Sequence, residues 1–174
     1  MDERSGGVAG QARGAAYSMD ALIAQTRRLA AEFRALTGKP LPVSGEIAQY
    51  DACRLLNLKP ASPGTGGYDA IGLEHRAGQR IQIKGRVVSQ EGRIAHRIGQ
   101  LKIDQNWDIL MLVLMDEQFL PSLIYEAKRA VIEAYLSDAE GRSRNRRGVM
   151  SVARFKNIAQ LVWSREDGSS VELS

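Results

Sequence analysis

The decisive stretch of this chain is Tyr68–Val88, which reads YDAIGLEHRAGQRIQIKGRVV. Short apolar and alternating runs on either side of a glycine-containing turn predict a hairpin of two β-strands. Side chains along a strand alternate between its two faces, so Gln82 and Lys84 lie on the same face of the second strand. Asp69 leads the first strand. The segment therefore predicts an acid on one strand beside an amide and an amine on its neighbour.

The flanking sequence predicts two helices before this hairpin, and further strands and helices after it. Ser18 and Ser44 are typical N-caps of the first two helices, and the continuously apolar Ile109–Met115 is typical of a central strand covered on both faces. This order of elements predicts an α/β domain with a mixed central sheet flanked by helices. The predicted elements are helices from 18 to about 38 and from 44 to about 58, strands at 68–73, 80–88, 108–115 and 120–126, a helix at 127–135, and a last helix from the Ser151 cap through Val162.

Length and composition favour a single domain. The chain has 174 residues, of which 44% are hydrophobic, and we expect a flexible N-terminal tail at 1–16 followed by one domain at 17–174. The longest apolar run is far shorter than the roughly 18 to 20 residues of a membrane-spanning helix. The first residues also lack the apolar middle of a secretory signal. We therefore expect a cytoplasmic protein with no membrane segment.

The residues that could hold a metal ion are mostly oxygen donors. A single cysteine, Cys53, excludes an internal disulfide and a cysteine-based zinc cluster, and the chain has two histidines. Oxygen ligands favour Mg²⁺ or Mn²⁺. Asp69 is the natural anchor, Gln82 offers an amide oxygen, and the backbone carbonyl of Ile83 lies between Gln82 and Lys84. Glu46 supplies a second carboxylate if its helix packs beside the hairpin.

The same residues suit hydrolysis of a phosphodiester, which needs an activated water and positive charge near the phosphate. Lys84 could orient the water, neutralise the phosphate, or act as a base if burial lowers its pKa. Each residue also has an ordinary explanation. An acid such as Glu46 suits the start of a helix, Asp69 suits a turn, and alternating polar residues suit a half-exposed strand. Their combination in one short segment favours the catalytic interpretation.

Positive charge collects on both sides of this segment. The formal net charge is +4 and the isoelectric point is near 9.4. Between 74 and 102 basic residues far outnumber acidic ones, and 141–147 contains four arginines and no acid. Two such clusters around one site favour a surface for the phosphate backbone of a nucleic acid. The residues expected to contact it are Arg86, Arg142, Arg144, Arg146 and Arg147.

The order of these motifs resembles the PD-(D/E)XK superfamily of restriction-endonuclease-like nucleases. The resemblance is carried by Glu46 in SGEIAQY, by Asp69 in GGYDAIG, and by Gln82 and Lys84 in QRIQIKGRV. It covers about Val43–Met115 and implies a restriction-endonuclease-like core. It also implies that Asp69, Gln82, Lys84 and Glu46 are catalytic, and that Asp69, Gln82, Glu46 and Ile83 hold the metal.

Two positions depart from the usual motif of that superfamily. Tyr68 stands where a proline usually precedes the first acid, and Gln82 stands where a glutamate or aspartate is usual. Mrr-type restriction endonucleases look similar in using Gln-x-Lys. The glutamine removes one negative charge from the expected metal site, so Glu46 becomes more important for metal affinity.

We therefore expect a metal-dependent endonuclease that hydrolyses DNA phosphodiester bonds with Mg²⁺ or Mn²⁺. The alternative is a catalytically inert nucleic-acid-binding or complex-assembly module of the same fold. A chain of this length leaves little room for a separate recognition domain. Sequence selectivity would then come from inserted loops, a homodimer partner or another subunit.

Overall fold

The protein is described by a computed structural model that covers residues 18–88, 97–138 and 149–167. Within these ranges the chain forms α-helices, β-strands and one short 3₁₀ turn at Glu74–Arg76. The helices are α1 (Met19–Thr37), α2 (Ser44–Leu55), α3 (Arg129–Asp138) and α4 (Val152–Ile158). The strands are β1 (Lys59–Pro60), β2 (Ala70–Ile71), β3 (Arg80–Val87), β4 (Arg97–Gln100), β5 (Ile109–Met115), β6 (Pro121–Lys128), β7 (Val149–Ser151) and β8 (Gln160–Ser164).

The described strands form a six-stranded sheet in the order β1-β2-β3-β5-β6-β8, together with a separate ribbon of β4 and β7. Strands β3 and β5 pair in parallel, whereas the other neighbours in the large sheet are antiparallel. Helices pack on both faces of this sheet, since α2 contributes to one core and α3 and α4 contribute to the other. The predicted α/β class with a mixed central sheet flanked by helices is confirmed.

Strand β5 separates the two hydrophobic cores. Its odd-numbered residues, such as Met111 and Val113, face the core that contains α2, and its even-numbered residues, such as Leu110 and Leu112, face the core that contains α3. All seven residues of the strand are buried. The predicted central strand, covered on both faces, is therefore confirmed.

Helix α2 lies against β3 because one strand position has no side chain. A Cβ atom built at Gly85 would lie 2.6 Å from the Cβ of Ala48, and closer still to the carbonyl oxygen of Ser44. Only glycine permits this approach of the first turn of α2 to the strand. The glycine thereby sets the position of α2 over the hairpin.

The ends of the helices partly follow the predictions. Ser18 caps α1 as expected, with its hydroxyl accepting from the N–H of Ala21 at 3.1 Å. The prediction for Ser44 is wrong: Val43 is the N-cap, and Ser44 is already the first helical residue. The predicted extension of α2 to about Leu58 is also wrong. The helix ends at Leu55, and Asn57 adopts a left-handed backbone with φ of 50°.

The last predicted helix is too long. Helix α4 begins after Ser151, whose hydroxyl accepts from the N–H of Arg154 as predicted, but it ends at Ile158. Val162 lies in β8, which pairs with β6 and buries Val162 and Trp163. Burial of an apolar pair on a sheet edge outweighs the helical spacing of these residues. The predicted tail at 1–16 lies outside the described residues.

None of the helices in the described ranges combines the length and the apolar character needed to cross a membrane.

The close approach at Gly85 predicts a large asymmetry between two glycine substitutions. Gly85→Ala should lower the free energy of unfolding by about 1–3 kcal/mol, because the methyl group overpacks the contact between α2 and β3. Gly66→Ala is the control, since a Cβ atom at that position has nothing within 4 Å. Urea denaturation of both variants measures the difference. Equal stabilities would contradict the close packing of α2 on β3.

Candidate active site

Asp69 is held beside β3 by its backbone and by its side chain. Its N–H donates to the carbonyl oxygen of Ile81 at 2.8 Å, and its Oδ2 accepts from the N–H of Ile83 at 2.7 Å. The carboxylate thus occupies the place that a backbone carbonyl has in a regular ladder, and the short strand β2 begins one residue later. The N–H and C=O of one strand residue point to the same side. The carbonyl of Ile83 therefore faces the edge where Asp69 lies.

Helix α2 fixes the backbone of Asp69 from the other direction. The Nε2 of Gln49 donates to the Asp69 carbonyl oxygen at 3.0 Å, and the N–H of Ala61 donates to the same oxygen at 2.9 Å. Sequence reasoning missed Gln49. The signal for it was its spacing, because it lies three residues after Glu46 and hence on the same stripe of α2.

Glu46 belongs to α2, the helix that packs on the face of β3 opposite to that of Gln82 and Lys84. It is exposed in the first turn of the helix, and helical spacing puts it on one stripe with Gln49 and Cys53, both of which lie near Asp69. The condition that this helix packs beside the hairpin is therefore met. Contact between Glu46 and a metal ion stays a prediction.

The side-chain amide of Gln82 is buried, and within the described part of the chain only its nitrogen has a hydrogen-bond partner. Its side chain is 2% exposed, its Nε2 donates to the carbonyl oxygen of Gly67 at 3.2 Å, and its Oε1 has no hydrogen-bond partner among the described residues. The explanation of an ordinary half-exposed strand is wrong at this position, because the second core covers this face of β3. A buried carbonyl oxygen without a donor is costly. Such an oxygen favours a hydrogen-bond donor or a cation.

Lys84 is half-buried two residues further along the same face of β3. Burial lowers the pKa of its ammonium group. The negative charge of Asp69 opposes this shift, whereas the positive charges of Lys102 and Arg86 add to it. Lys84 therefore lies in a mixed field, with one carboxylate and two cations close enough to influence its proton.

Sequence reasoning also missed that Lys102 lies close enough to Lys84 to influence its proton. The side chain of Lys102 is exposed, while its carbonyl oxygen accepts from the indole Nε1 of Trp107 at 2.8 Å. Arg129 lies over the ring of Trp107 at 5.0 Å and donates to the carbonyl oxygen of Gln105 at 2.6 Å. These contacts anchor the loop at 101–107, which carries the exposed side chain of Lys102. Only the tertiary structure reveals that this side chain lies near Lys84.

Arg86 has structural partners. Its Nε donates to the carbonyl oxygen of Arg97 at 2.6 Å, and its Nη atoms donate to the carbonyl oxygens of Gly85 and Ile98. The bonds to Arg97 and Ile98 join β3 to β4, and burial lowers the pKa of the Arg86 guanidinium. Its contact with nucleic acid stays a prediction. The other expected contacts, Arg142, Arg144, Arg146 and Arg147, lie outside the described residues.

No protein-family model matches this chain, and a search of curated proteins finds no match either.

In the part of the chain that the structure describes, no three His, Cys, Asp or Glu side chains form a group that could hold a metal ion. The candidate site is defined by the carboxylate of Asp69, which immediately precedes β2, and by the amide of Gln82 and the ammonium group of Lys84 on β3.

Cys53 provides a chemical probe of this site. Burial, and secondly the charge of Asp69, raise the pKa of its thiol to about 11. We expect iodoacetamide at pH 8 to alkylate the folded protein at least about 100-fold more slowly than the protein in urea, because the thiolate is the reactive form.

Removing the charge of Asp69 tests the second cause. Asp69→Asn retains an acceptor for the N–H of Ile83 but should lower the pKa of Cys53 modestly, since burial is the larger cause. The exposed Asp20→Asn should leave that pKa unchanged. The pH dependence of alkylation measures both effects. An equal shift in the two variants would contradict the closeness of Cys53 and Asp69.

Proposed function

We propose that this protein is a metal-dependent endonuclease that hydrolyses DNA phosphodiester bonds. The observation that carries the proposal is the unpaired, buried Oε1 of Gln82 on the strand next to the Asp69 carboxylate. Three buried side-chain oxygens of the described residues lack a hydrogen-bond partner, those of Asp51, Gln82 and Gln105, and the Gln82 oxygen is the one on β3. Its position beside an acid and a half-buried lysine supports a site for a cation and a phosphate.

The fold supports a restriction-endonuclease-like core for this proposal. Helix α2, strands β2 and β3, and strand β5 fall within Val43–Met115, the stretch that resembles PD-(D/E)XK nucleases. Asp69 immediately precedes β2, while Gln82 and Lys84 lie on β3. This arrangement supports the proposal, because such a short motif is specific only in combination with its structural context.

The residues fit Mg²⁺ or Mn²⁺, which prefer oxygen ligands. Asp69 and Glu46 would supply carboxylates, Gln82 its unpaired amide oxygen, and Ile83 its backbone carbonyl. When bound, such an ion polarises the phosphate and makes water a better nucleophile. Two carboxylates and two neutral oxygens predict a modest affinity for the metal.

Lys84 and Lys102 would supply the proton transfer and the positive charge that the reaction needs. Because burial lowers its pKa, Lys84 can release a proton more easily than an exposed lysine, and it can also donate from Nζ to a phosphate oxygen. Exposed Lys102 adds a positive charge that attracts the nucleic-acid backbone toward Lys84. Asp69 is bonded through its N–H, its carbonyl and its carboxylate, so its position needs little reorganisation when substrate binds.

The alternative function is a catalytically inert module that binds nucleic acid or assembles a complex. The neutral side chain of Gln82 favours this reading, because it replaces the carboxylate that such metal sites usually contain. A DNA-cleavage assay with and without metal distinguishes the two functions, because only the enzyme would cleave.

Cleavage of plasmid DNA in Mg²⁺ or Mn²⁺ tests the proposed enzyme. Asp69→Asn and Lys84→Met should each reduce the rate by at least about 100-fold, because each removes a charge from the site and preserves most of the side-chain shape. Lys128→Met, at an exposed position of β6, is the matched control and should cleave normally.

Activity that survives both site substitutions would disprove the assigned site. Absence of cleavage by the wild type, combined with salt-sensitive DNA binding, would support the inert module instead.

Replacing the unusual glutamine tests metal coordination directly. Gln82→Glu should tighten Mg²⁺ binding, while it lowers stability without metal, since the new carboxylate is buried and cannot donate to the Gly67 carbonyl. The metal-induced rise in melting temperature should therefore exceed that of the wild type. Gln160→Glu adds the same charge at an exposed position of β8 and is the control. Equal metal-induced shifts in all three proteins would argue against a ligand at position 82.

A further inference from the structure

Helix α1 turns its apolar side away from the body of the protein. Five large apolar residues on it are exposed, and Ala30 is its one buried residue. The sequence predicts an amphipathic helix over these positions, but the structure leaves their apolar stripe open among the described residues. The exposed fractions are 63% for Met19, 42% for Leu22, 60% for Leu29, 38% for Phe33 and 87% for Leu36.

The stripe has the spacing of a helix-pairing seam. With half-buried Thr26 included, its members lie at 19, 22, 26, 29, 33 and 36, so that steps of three and four residues alternate along the whole helix. This is the spacing of the a and d positions in coiled coils, where side chains of one helix fill holes on another. The alternation favours a second helix as the partner of this face.

A different side of α1 attaches it to the domain. Arg27 donates to the carbonyl oxygen of Phe119 and forms a buried ion pair with Asp51 on α2. Ala30 packs in the core that contains α2. At about 100° per residue, Ala30 lies about 70° and Arg27 about 130° around the helix from the centre of the stripe. The helix is therefore held in place with its seam facing outward.

We propose that α1 pairs antiparallel with α1 of a second copy of this chain, across a two-fold axis between Arg27 and Arg28. The stripe is symmetric about that point. Met19 of one copy would lie opposite Leu36 of the other, Leu22 opposite Phe33, and Thr26 opposite Leu29. A two-fold interface needs such a self-complementary patch, in which each contact occurs twice.

The rim of the seam also suits this arrangement. Gln25 and Glu32 flank the stripe on its outer side, and antiparallel pairing places Gln25 of one copy beside Glu32 of the other. The flanking positions thus add polar contacts without opposing like charges.

The N-terminal segment is poorly suited to cover the seam. Residues 1–17 consist mainly of glycine, alanine and polar residues, and Val8 is their single branched aliphatic residue. The large apolar side chains of this segment are those of Met1, Val8 and Tyr17, which are fewer than the five of the stripe. A second α1, which carries the matching set, is the better occupant.

The size of the contact predicts a dissociable dimer. A helix of 19 residues is about 28 Å long, and one pair of such helices buries less than the roughly 800 Å² per partner of a standard interface. We therefore expect an association at the weak, transient end of specific interfaces. This inference does not depend on the proposed nuclease activity.

Sedimentation velocity of the full chain over a range of concentrations tests the dimer. The wild type should sediment as a dimer at high concentration, and the double variant Leu29→Glu, Phe33→Glu should weaken dimerisation by at least about 100-fold, because it buries charges in the seam. Val131→Glu is the control, since Val131 is 42% exposed on α3. A wild type that remains monomeric, or a dimer that tolerates the double variant, would overturn the proposal.

Disulfide trapping tests the antiparallel register. A mixture of Leu22→Cys and Phe33→Cys chains should form a mixed disulfide, whereas Leu22→Cys alone should not crosslink, because the two copies of residue 22 lie near opposite ends of the seam. Buried Cys53 should not interfere. Efficient crosslinking of Leu22→Cys to itself would overturn the antiparallel arrangement.

Discussion

The candidate site depends on the contact between the first turn of α2 and β3 at Gly85. Because that strand position has no side chain, the helix approaches the sheet closely enough for Gln49 to donate to the Asp69 carbonyl. The same approach aligns the stripe of α2 that contains Glu46 with the edge of the hairpin. The carboxylate of Asp69 then completes the ladder at Ile83. Packing of helix on strand, and not the motif alone, therefore positions the acid.

Gln82 illustrates a balance between stability and function. Its amide nitrogen is satisfied by Gly67, but its oxygen is buried without a donor among the described residues, which costs about 1–3 kcal/mol relative to a paired group. An apolar residue of similar size would suit the surrounding core better. Natural proteins keep such local conflicts chiefly at functional sites. The unpaired oxygen therefore adds to the argument for a ligand that the motif makes.

Sequence patterns predict the elements that are determined by residues close to one another in the chain. The apolar run at Ile109–Met115 and the cap at Ser18 required only their own neighbours in sequence. The spacing of Val162 also fits a helix, so the helix that the sequence predicts there is wrong, and only the pairing of β8 with β6 fixes this residue in a strand. The contacts of Arg86 with carbonyl oxygens of β4, and the closeness of Lys102 to Lys84, join residues far apart in the chain. Sequence periodicity carries no information about such contacts.

The charges around Lys84 link its proton to the proposed cation. Without metal, burial disfavours its ammonium form while Asp69 favours it, so the two effects partly cancel. A divalent ion held by Asp69 would neutralise the carboxylate and add positive charge nearby, and both changes would lower the pKa of Lys84 further. A lower pKa would suit Lys84 to the transfer of a proton to or from the water that it is proposed to assist. A lysine is well suited to this position because its proton affinity depends so strongly on burial and on neighbouring charges.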